Sequence, residues 1–589
     1  MTSSVRALRR TLRPSTATSG RLVAAAWFAG TLAIAAFAGE NAASPTFSRL
    51  IVAAAFLALV VAFGMRNPRG LLLALPVWLV ALGLVRRLLS GISTGGSADP
   101  MLLVEPVALI ILVFAAADRG AFKGRSTLSS LVLAYTGLTL LGAFNPEQGS
   151  MKAGVTSLIF FVPMLAFWVG RGLVDDGTLR KLLLVIGVAA IPAALYGLNQ
   201  TFGSFPSWDQ RWIAAQGYSS LNVGGAVRPF GTFSSSAEYA TFLALAMLIW
   251  LRLGPRRFLR PIGVATAALL VVAVFYQGSR GSVVVLLAAF AVMLAARRRM
   301  PLTAAAVIGA ALLAAMPYVV KQIAPTSNAD ATGSSALVQH QVQGLANPLD
   351  PNSSTAGAHF HQIWLAMGEA LRKPAGQGIG AVTIAGAKFG AIQASAEADP
   401  GNAAVALGLP GLVLFFALFF VAYRSTYSLA RGGGALAGVA MGILVGTTLQ
   451  WLNGGEYSVA FLPWLVLGWV DRQLLLRKAE PTAEAAAPAP LPETPRPPTL
   501  RRLPRPRPRP QPAPAAETAA KPAETAPRRP RGPMPRRWNV FELEALPELS
   551  LEQHYLLVEL RRHASPEGLL PLSFDGFVRS SFGVGGGAS

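Results

Sequence analysis

Phe275–Leu287 reads FYQGSRGSVVVLL: an apolar run, a six-residue polar hairpin with one arginine, and a second apolar run. A membrane span needs about 20 mostly apolar residues, so the hairpin reads as the joint between two antiparallel spans. Working outward in both directions, apolar runs recur at 22–38, 49–65, 70–86, 101–117, 127–144, 153–170, 181–199, 237–251, 260–276, 281–296, 302–320, 402–422, 435–451 and 457–475. The expected fold is an all-α polytopic membrane protein with about fourteen transmembrane helices. Composition agrees. Of 589 residues, 53% are hydrophobic and 13% charged, with a mean hydropathy of +0.47. A soluble domain carries about 25% charged residues.

The formal charge of +23 follows topology. Basic residues fall between spans and in a Pro-rich tail, which argues against nucleic acid as a partner. There is no cysteine, hence no disulfide framework, thiolate nucleophile or Cys-based metal site. The first 21 residues carry five arginines and lead into an apolar run without a clear cleavage site, so they read as a retained signal-anchor. Arg66 and Arg69, Arg119 to Arg125, Arg171 to Lys181, Arg252 to Arg260, Arg297 to Arg299, Arg424 and Arg431, and Arg472 to Lys478 fall on the N-terminal side of the expected membrane. That side is the cytoplasm by the positive-inside rule. Arg86 and Arg87 are the main exception. Both termini are then cytoplasmic, which needs an even number of spans.

Three segments face the other side: 200–236, the hairpin 277–280, and the large loop 321–401. A structureless loop of about eighty residues is improbable in a compact protein, so 321–401 is expected to carry helices. Within it, GAHFHQIWLAMGEALRK (357–373) sets Phe360, Ile363, Trp364, Met367 and Leu371 at helical spacing. It reads as an amphipathic helix lying against the membrane face. Pro374 ends it, and GQGIGA follows as a flexible turn. From 479 to 538 the chain is rich in Pro, Arg and Ala and reads as a disordered linker. Residues 539–589 hold a short helical tail, SLEQHYLLVELRRH, with Ser550 and Gln553 as a capping box. That tail either rests on the protein's own cytoplasmic loops or docks a partner protein on a tether.

Arg280 is the first candidate for chemistry. The hairpin is too short to need a charge, Gly278 and Gly281 let backbone approach a ligand, and the side it faces is poor in basic residues. A fixed arginine beside exposed N–H groups suits phosphate or pyrophosphate, against the plainer reading of an interfacial anchor. A second cluster, GGAVRPFGTFSSSAEYATFLALA, sets Arg228 and Glu238 about FGTFSSS; Glu238 also reads as an ordinary first-turn acid. Arg211, in WDQRWI, is a further arginine on the same side. His340, His359 and His361 lie in the large loop. His359 and His361 are two apart on a helix and do not share a face, which argues against zinc. Either suits a general base. Glu105, Asp399 and Glu456 are acids at span ends.

RPFGTFSSSAEYATFLALA, then GSRGSVVVLLAAF, then HQIWLAMGEALRKPAGQGIGA in a long loop, then NAAVALGLPGLVLFFALF, together resemble the superfamily of O-antigen ligases and Wzy-type polysaccharide polymerases across roughly 225–425. The resemblance implies a GT-C-like membrane glycosyltransferase in the bacterial cytoplasmic membrane. Such an enzyme takes a glycan from undecaprenyl pyrophosphate on the outer face without a metal, cofactor or nucleotide sugar. It implies that Arg280 and Arg228 bind the pyrophosphate. The family commonly carries a His-Asn pair before its GLxGL span. Here EADPGNAAVALGLPGL has Gly401 and Asn402 there, so the expected base is missing and Asp399, His359 and His361 are the replacements. That departure favours a polymerase of lipid-linked repeat units, or a divergent member, over a ligase that moves a finished glycan to lipid or protein. On the same resemblance a partner of the C-terminal tail would be a polysaccharide-assembly protein. A transporter is the reading from another class; it would show inverted repeats and broken helices.

Overall fold

Leu, Val and Ala runs bounded by Pro, Gly and paired charges form helices throughout. The structure is a computed structural model that describes residues 45–88, 100–216, 222–223, 226–253, 261–323, 333–350, 354, 356–394, 398–448, 450–451 and 456–485. In chain order its helices are α1 (Pro45–Arg66), α2 (Pro68–Leu88), α3 (Val104–Asp118), α4 (Thr127–Gly142), α5 (Met151–Ser157), α6 (Ala166–Leu173), α7 (Asp176–Phe202) and α8 (Ser207–Gln216). They continue as α9 (Ser236–Leu253), α10 (Pro261–Tyr276), α11 (Arg280–Arg297), α12 (Leu302–Ile323), α13 (Ser334–Ala346), α14 (Ala356–Arg372), α15 (Ile384–Lys388), α16 (Asp399–Arg431), α17 (Ala435–Gly446) and α18 (Tyr457–Ala485). Among the described residues the only sheet is a pair of two-residue strands, β1 (Asn222–Val223) and β2 (Ala226–Val227), antiparallel with Val223 opposite Ala226.

Local chemistry sets several of the helix starts. Ser126 and Ser129 form a reciprocal capping box at α4. The Asp175 side chain accepts the Thr178 N–H at 2.7 Å to open α7. Ser279 occupies the same position before α11.

Eight of these helices are long and apolar enough to cross a membrane, and a ninth crossing results if α5 and α6 form one bent span. Ala53–Arg66, α4, α10 and α17 are apolar but shorter. The expected fourteen is therefore not reached on length. Every expected span from 49–65 onward nonetheless falls on a helix or on the bent pair. The first, 22–38, lies outside the described residues.

Two expected spans are broken. Over 153–170 the chain passes through two 3₁₀ turns, Leu158–Phe160 and Val162–Leu165, and bends by 47°. Pro163 in the second turn has no N–H with which to continue an α-helix. In α16 the backbone leaves helical geometry at Gly408 (φ 65°, ψ −152°). There GQGIGA is a fixed element, which corrects its reading as a flexible turn. Gln377 N donates to Val405 O at 2.7 Å, Gly378 N to Ala406 O at 3.0 Å, and Leu409 N to Pro374 O at 3.0 Å. A Cβ on Gly408 would stand 2.0 Å from Pro374 O, so only glycine lets the two backbones meet.

The large loop carries helices of its own, α13, α14 and α15, as expected for so long a connection. α14 packs along α16, and α13 packs against α10, α11 and α12. Trp464, Tyr135, Tyr239, Phe167, Phe230 and Phe233 are the largest buried apolar or aromatic side chains of the core. A second unit begins at Lys478. α18 runs through the start of the expected linker to Ala485. The rest of that linker and the tail helix with Ser550 and Gln553 lie outside the described residues.

Candidate anion site

The site is built on a scaffold that begins with Arg87, in the last turn of α2. Its Nε lies 2.7 Å from Asp209 Oδ1 on α8, and both side chains are fully buried. The same guanidinium donates to Gly231 O at 2.6 Å and to Phe233 O, and stacks 4.7 Å from the Phe230 ring. Asp209 also accepts from Tyr196 OH at 2.8 Å and Gln200 Nε2 at 2.7 Å. Gln200 in turn takes the Phe230 and Gly231 N–H groups on its Oε1 at 3.0 and 2.8 Å. Arg86 donates to Ser234 Oγ at 2.8 Å and lies 5.1 Å over the Trp212 ring. The segment Phe230–Ser234 is thus held at backbone and side chain by a network of largely buried polar groups, which rigidifies a loop.

This fixed loop carries Arg228 at its start, just after β2. Arg228 Nη2 lies 3.2 Å from His340 Nε2 on α13. The GSRGS hairpin closes the group from another direction. Gly278 adopts φ 77°, and a Cβ there would stand 3.8 Å from Arg228 Nε. Gln277 Nε2 donates to Ser236 O at 2.6 Å, its Oε1 accepts the Ser279 N–H at 2.8 Å, and Ser279 caps α11. Arg280, the first residue of α11, lies along α13 so closely that a Cβ on Gly344 would be 2.0 Å from its Nη1. Gln341, fully buried, points its Nε2 at Ser279 O at 3.4 Å. Arg228, Arg280 and His340 are each half-buried. Burial, and then the charges of Arg280 and Arg228, push the His340 imidazole down to about 3, so it is neutral at physiological pH. Two guanidiniums, a neutral imidazole and the first turn of a helix converge from three segments far apart in sequence. That arrangement suits a multiply charged oxyanion.

The sequence-predicted residues divide. Arg280 and Arg228 come together. Arg211 is exposed on α8, where the buried charge is Asp209 instead. Glu238 is buried and spent on backbone: it accepts the Ser458 N–H at 2.6 Å and the Ser234 N–H at 3.2 Å. Asp399 is fully buried and accepts the Trp451 N–H. Glu456 accepts from Thr241 Oγ1 at 2.8 Å, and burial, with Glu238 and Asp399 close by, pushes its carboxyl up to about 8. Glu105 is buried at the start of α3. His359 and His361 are exposed on α14. His340, which sequence reasoning placed in the loop and did not select, meets Arg228. Its one signal is Gly344 four residues on, which leaves that helix face open beside the imidazole. Among the described residues no group of three or more His, Asp or Glu is placed to hold a metal ion.

No protein-family model matches the chain, and no curated protein sequence matches it. Among the described residues the fold defines a class: an α-helical protein with eight helices long and apolar enough to cross a membrane, in which Arg228 and Arg280 are brought to one place beside His340.

Proposed function

We propose that the protein polymerises oligosaccharide repeat units carried on undecaprenyl pyrophosphate into surface polysaccharide. It works in the bacterial cytoplasmic membrane with both termini cytoplasmic and the arginine site on the outer face. The convergence of Arg228 and Arg280 about His340 carries this reading. A hydroxyl of the acceptor glycan attacks the anomeric carbon of the donor. The new C–O bond forms as the bond from that carbon to the pyrophosphate oxygen breaks. Undecaprenyl pyrophosphate leaves with the electron pair, its growing charge met by the two guanidiniums, and the hydroxyl proton passes to solvent or to the departing phosphate. Gly401 in place of the family's usual histidine supports a polymerase over a ligase.

A transport reading has an observation of its own in the two helix breaks, at 158–165 and at Gly408. Deleting the gene and resolving lipid-linked and surface glycans on gels separates the three. Single repeat units on the final acceptor support the polymerase. Long chains left on the carrier show a ligase, repeat units held on the inner leaflet show a transporter, and unchanged glycans overturn all of them.

A further inference from the structure

Among the described residues His340 is the imidazole placed beside the two arginines, and general bases are often histidines. Its geometry points elsewhere. An arginine guanidinium has five N–H donors and no acceptor. For the 3.2 Å contact from Arg228 Nη2 to be a hydrogen bond, His340 Nε2 must present its lone pair. A neutral imidazole carries one hydrogen, which then sits on Nδ1. Neutrality is what the surroundings impose, because burial first, and then the charges of Arg280 and Arg228, disfavour the imidazolium.

We infer that His340 is a hydrogen-bond donor to the bound pyrophosphate through Nδ1–H, locked in that tautomer by Arg228, and is not the general base. This rests on the pyrophosphate reading of the site. It gives the anion a third donor and leaves the lone pair of the ring occupied, so the ring has no vacant nitrogen with which to take the acceptor proton. It also gives Gly344 a purpose. The residue one turn beyond His340 has no side chain, which leaves room for the Arg280 guanidinium on the same face.

The test uses the full chain in lipid nanodiscs, with inorganic pyrophosphate as probe. The chain has five histidines, so ¹⁵N-histidine spectra of the wild type and of His340→Asn identify the His340 signals by their loss. The expected spectrum shows a neutral ring with the proton on Nδ1. A ring protonated on Nε2, or a cationic ring, overturns the inference. Binding gives a second readout. Asn places an N–H near the Nδ1 position and Gln places one near Nε2. His340→Asn should keep pyrophosphate affinity within about threefold, while His340→Gln and His340→Ala should lose about tenfold, as for loss of one hydrogen bond to a charged group. Gln binding as well as wild type while Asn fails overturns the donor role. The outcome that sinks the pyrophosphate reading itself is different: wild type and Arg280→Ala would bind the probe equally poorly. The tautomer spectrum still judges His340 in that case.

Discussion

The Arg87 guanidinium and the Asp209 carboxylate lie 2.7 Å apart with no exposure of either side chain. This pair explains the position of Arg87, an exception to the charge pattern expected from the sequence, at the end of α2. Arg87 is a structural rivet that ties α2 to α8 and holds the carbonyls of Gly231 and Phe233. Breaking a buried pair strands the other charge. Arg87→Ala or Asp209→Ala should each destabilise the protein by about 3–5 kcal/mol. The double variant Arg87→Met/Asp209→Leu should cost less than either single change, because no unpaired charge stays buried. Thermal unfolding in detergent micelles measures all three.

Arg280→Ala should abolish glycan assembly while membrane insertion and yield stay normal. Arg280→Lys should recover little, because an ammonium lacks the planar fork that engages two phosphate oxygens. Gel analysis of surface polysaccharide beside membrane-fraction immunoblots reads both. Normal polysaccharide in Arg280→Ala would sink the pyrophosphate role.

Gly344→Ala tests the same arginine from the opposite side. Alanine is a better helix former than glycine, so α13 should persist. Its Cβ would sit 2.0 Å from Arg280 Nη1 and 2.1 Å from Cδ, so the arginine must move. The variant should unfold at or near the wild-type temperature and lose about tenfold or more in pyrophosphate affinity.

Glu456 should give stability a pH slope. Its folded pKa, about 8, stands above the usual 4.5, so the folded protein keeps a proton that the unfolded chain releases. The contribution is full below pH 4.5 and is lost as pH rises toward 8, an effect on the order of 5 kcal/mol. Glu456→Gln should flatten the decline in Tm between pH 5 and 9. His340 runs the other way. Its folded pKa, about 3, lies below the usual 6.5, so its contribution is present above pH 6.5 and lost as pH falls toward 3.

The apolar side of α14 is open: Phe360, Trp364, Leu365 and Leu371 are all exposed. Because the chain has no cysteine, single cysteines report cleanly. A spin label at Trp364→Cys should relax with oxygen dissolved in lipid, and one at Gln362→Cys with an aqueous nickel chelate. Equal aqueous access at both sites would show that α14 stands off the membrane.

Much of the architecture was legible in the chain itself. Runs such as LLLALPVWLVALGLV and VVVLLAAFAVMLAA have one stable form in an apolar solvent, a helix that satisfies its own backbone. Their alternation with arginine clusters orders them without reference to any distant contact. The GSRGS hairpin was legible for the same reason: a charge between two apolar runs stands out on inspection. The helix 357–373 was read within one residue of α14, since Phe360, Trp364 and Leu371 mark one face and Pro374 its end.

Other features needed the third dimension. The break at Gly408 exists because Pro374–Gly378 lays its backbone against residues 405–409, a meeting of segments thirty residues apart. Glu238 and Asp399 stand out in the sequence by residue type, which carries no information on burial; folded, both are buried and accept backbone N–H groups. His340 lies 112 residues from Arg228, and no local pattern joins them. Apolar periodicity is a local property and determines which segments become helices. Which polar groups are left to face one another is decided by packing, when helices separated by a hundred residues exclude water from the same space.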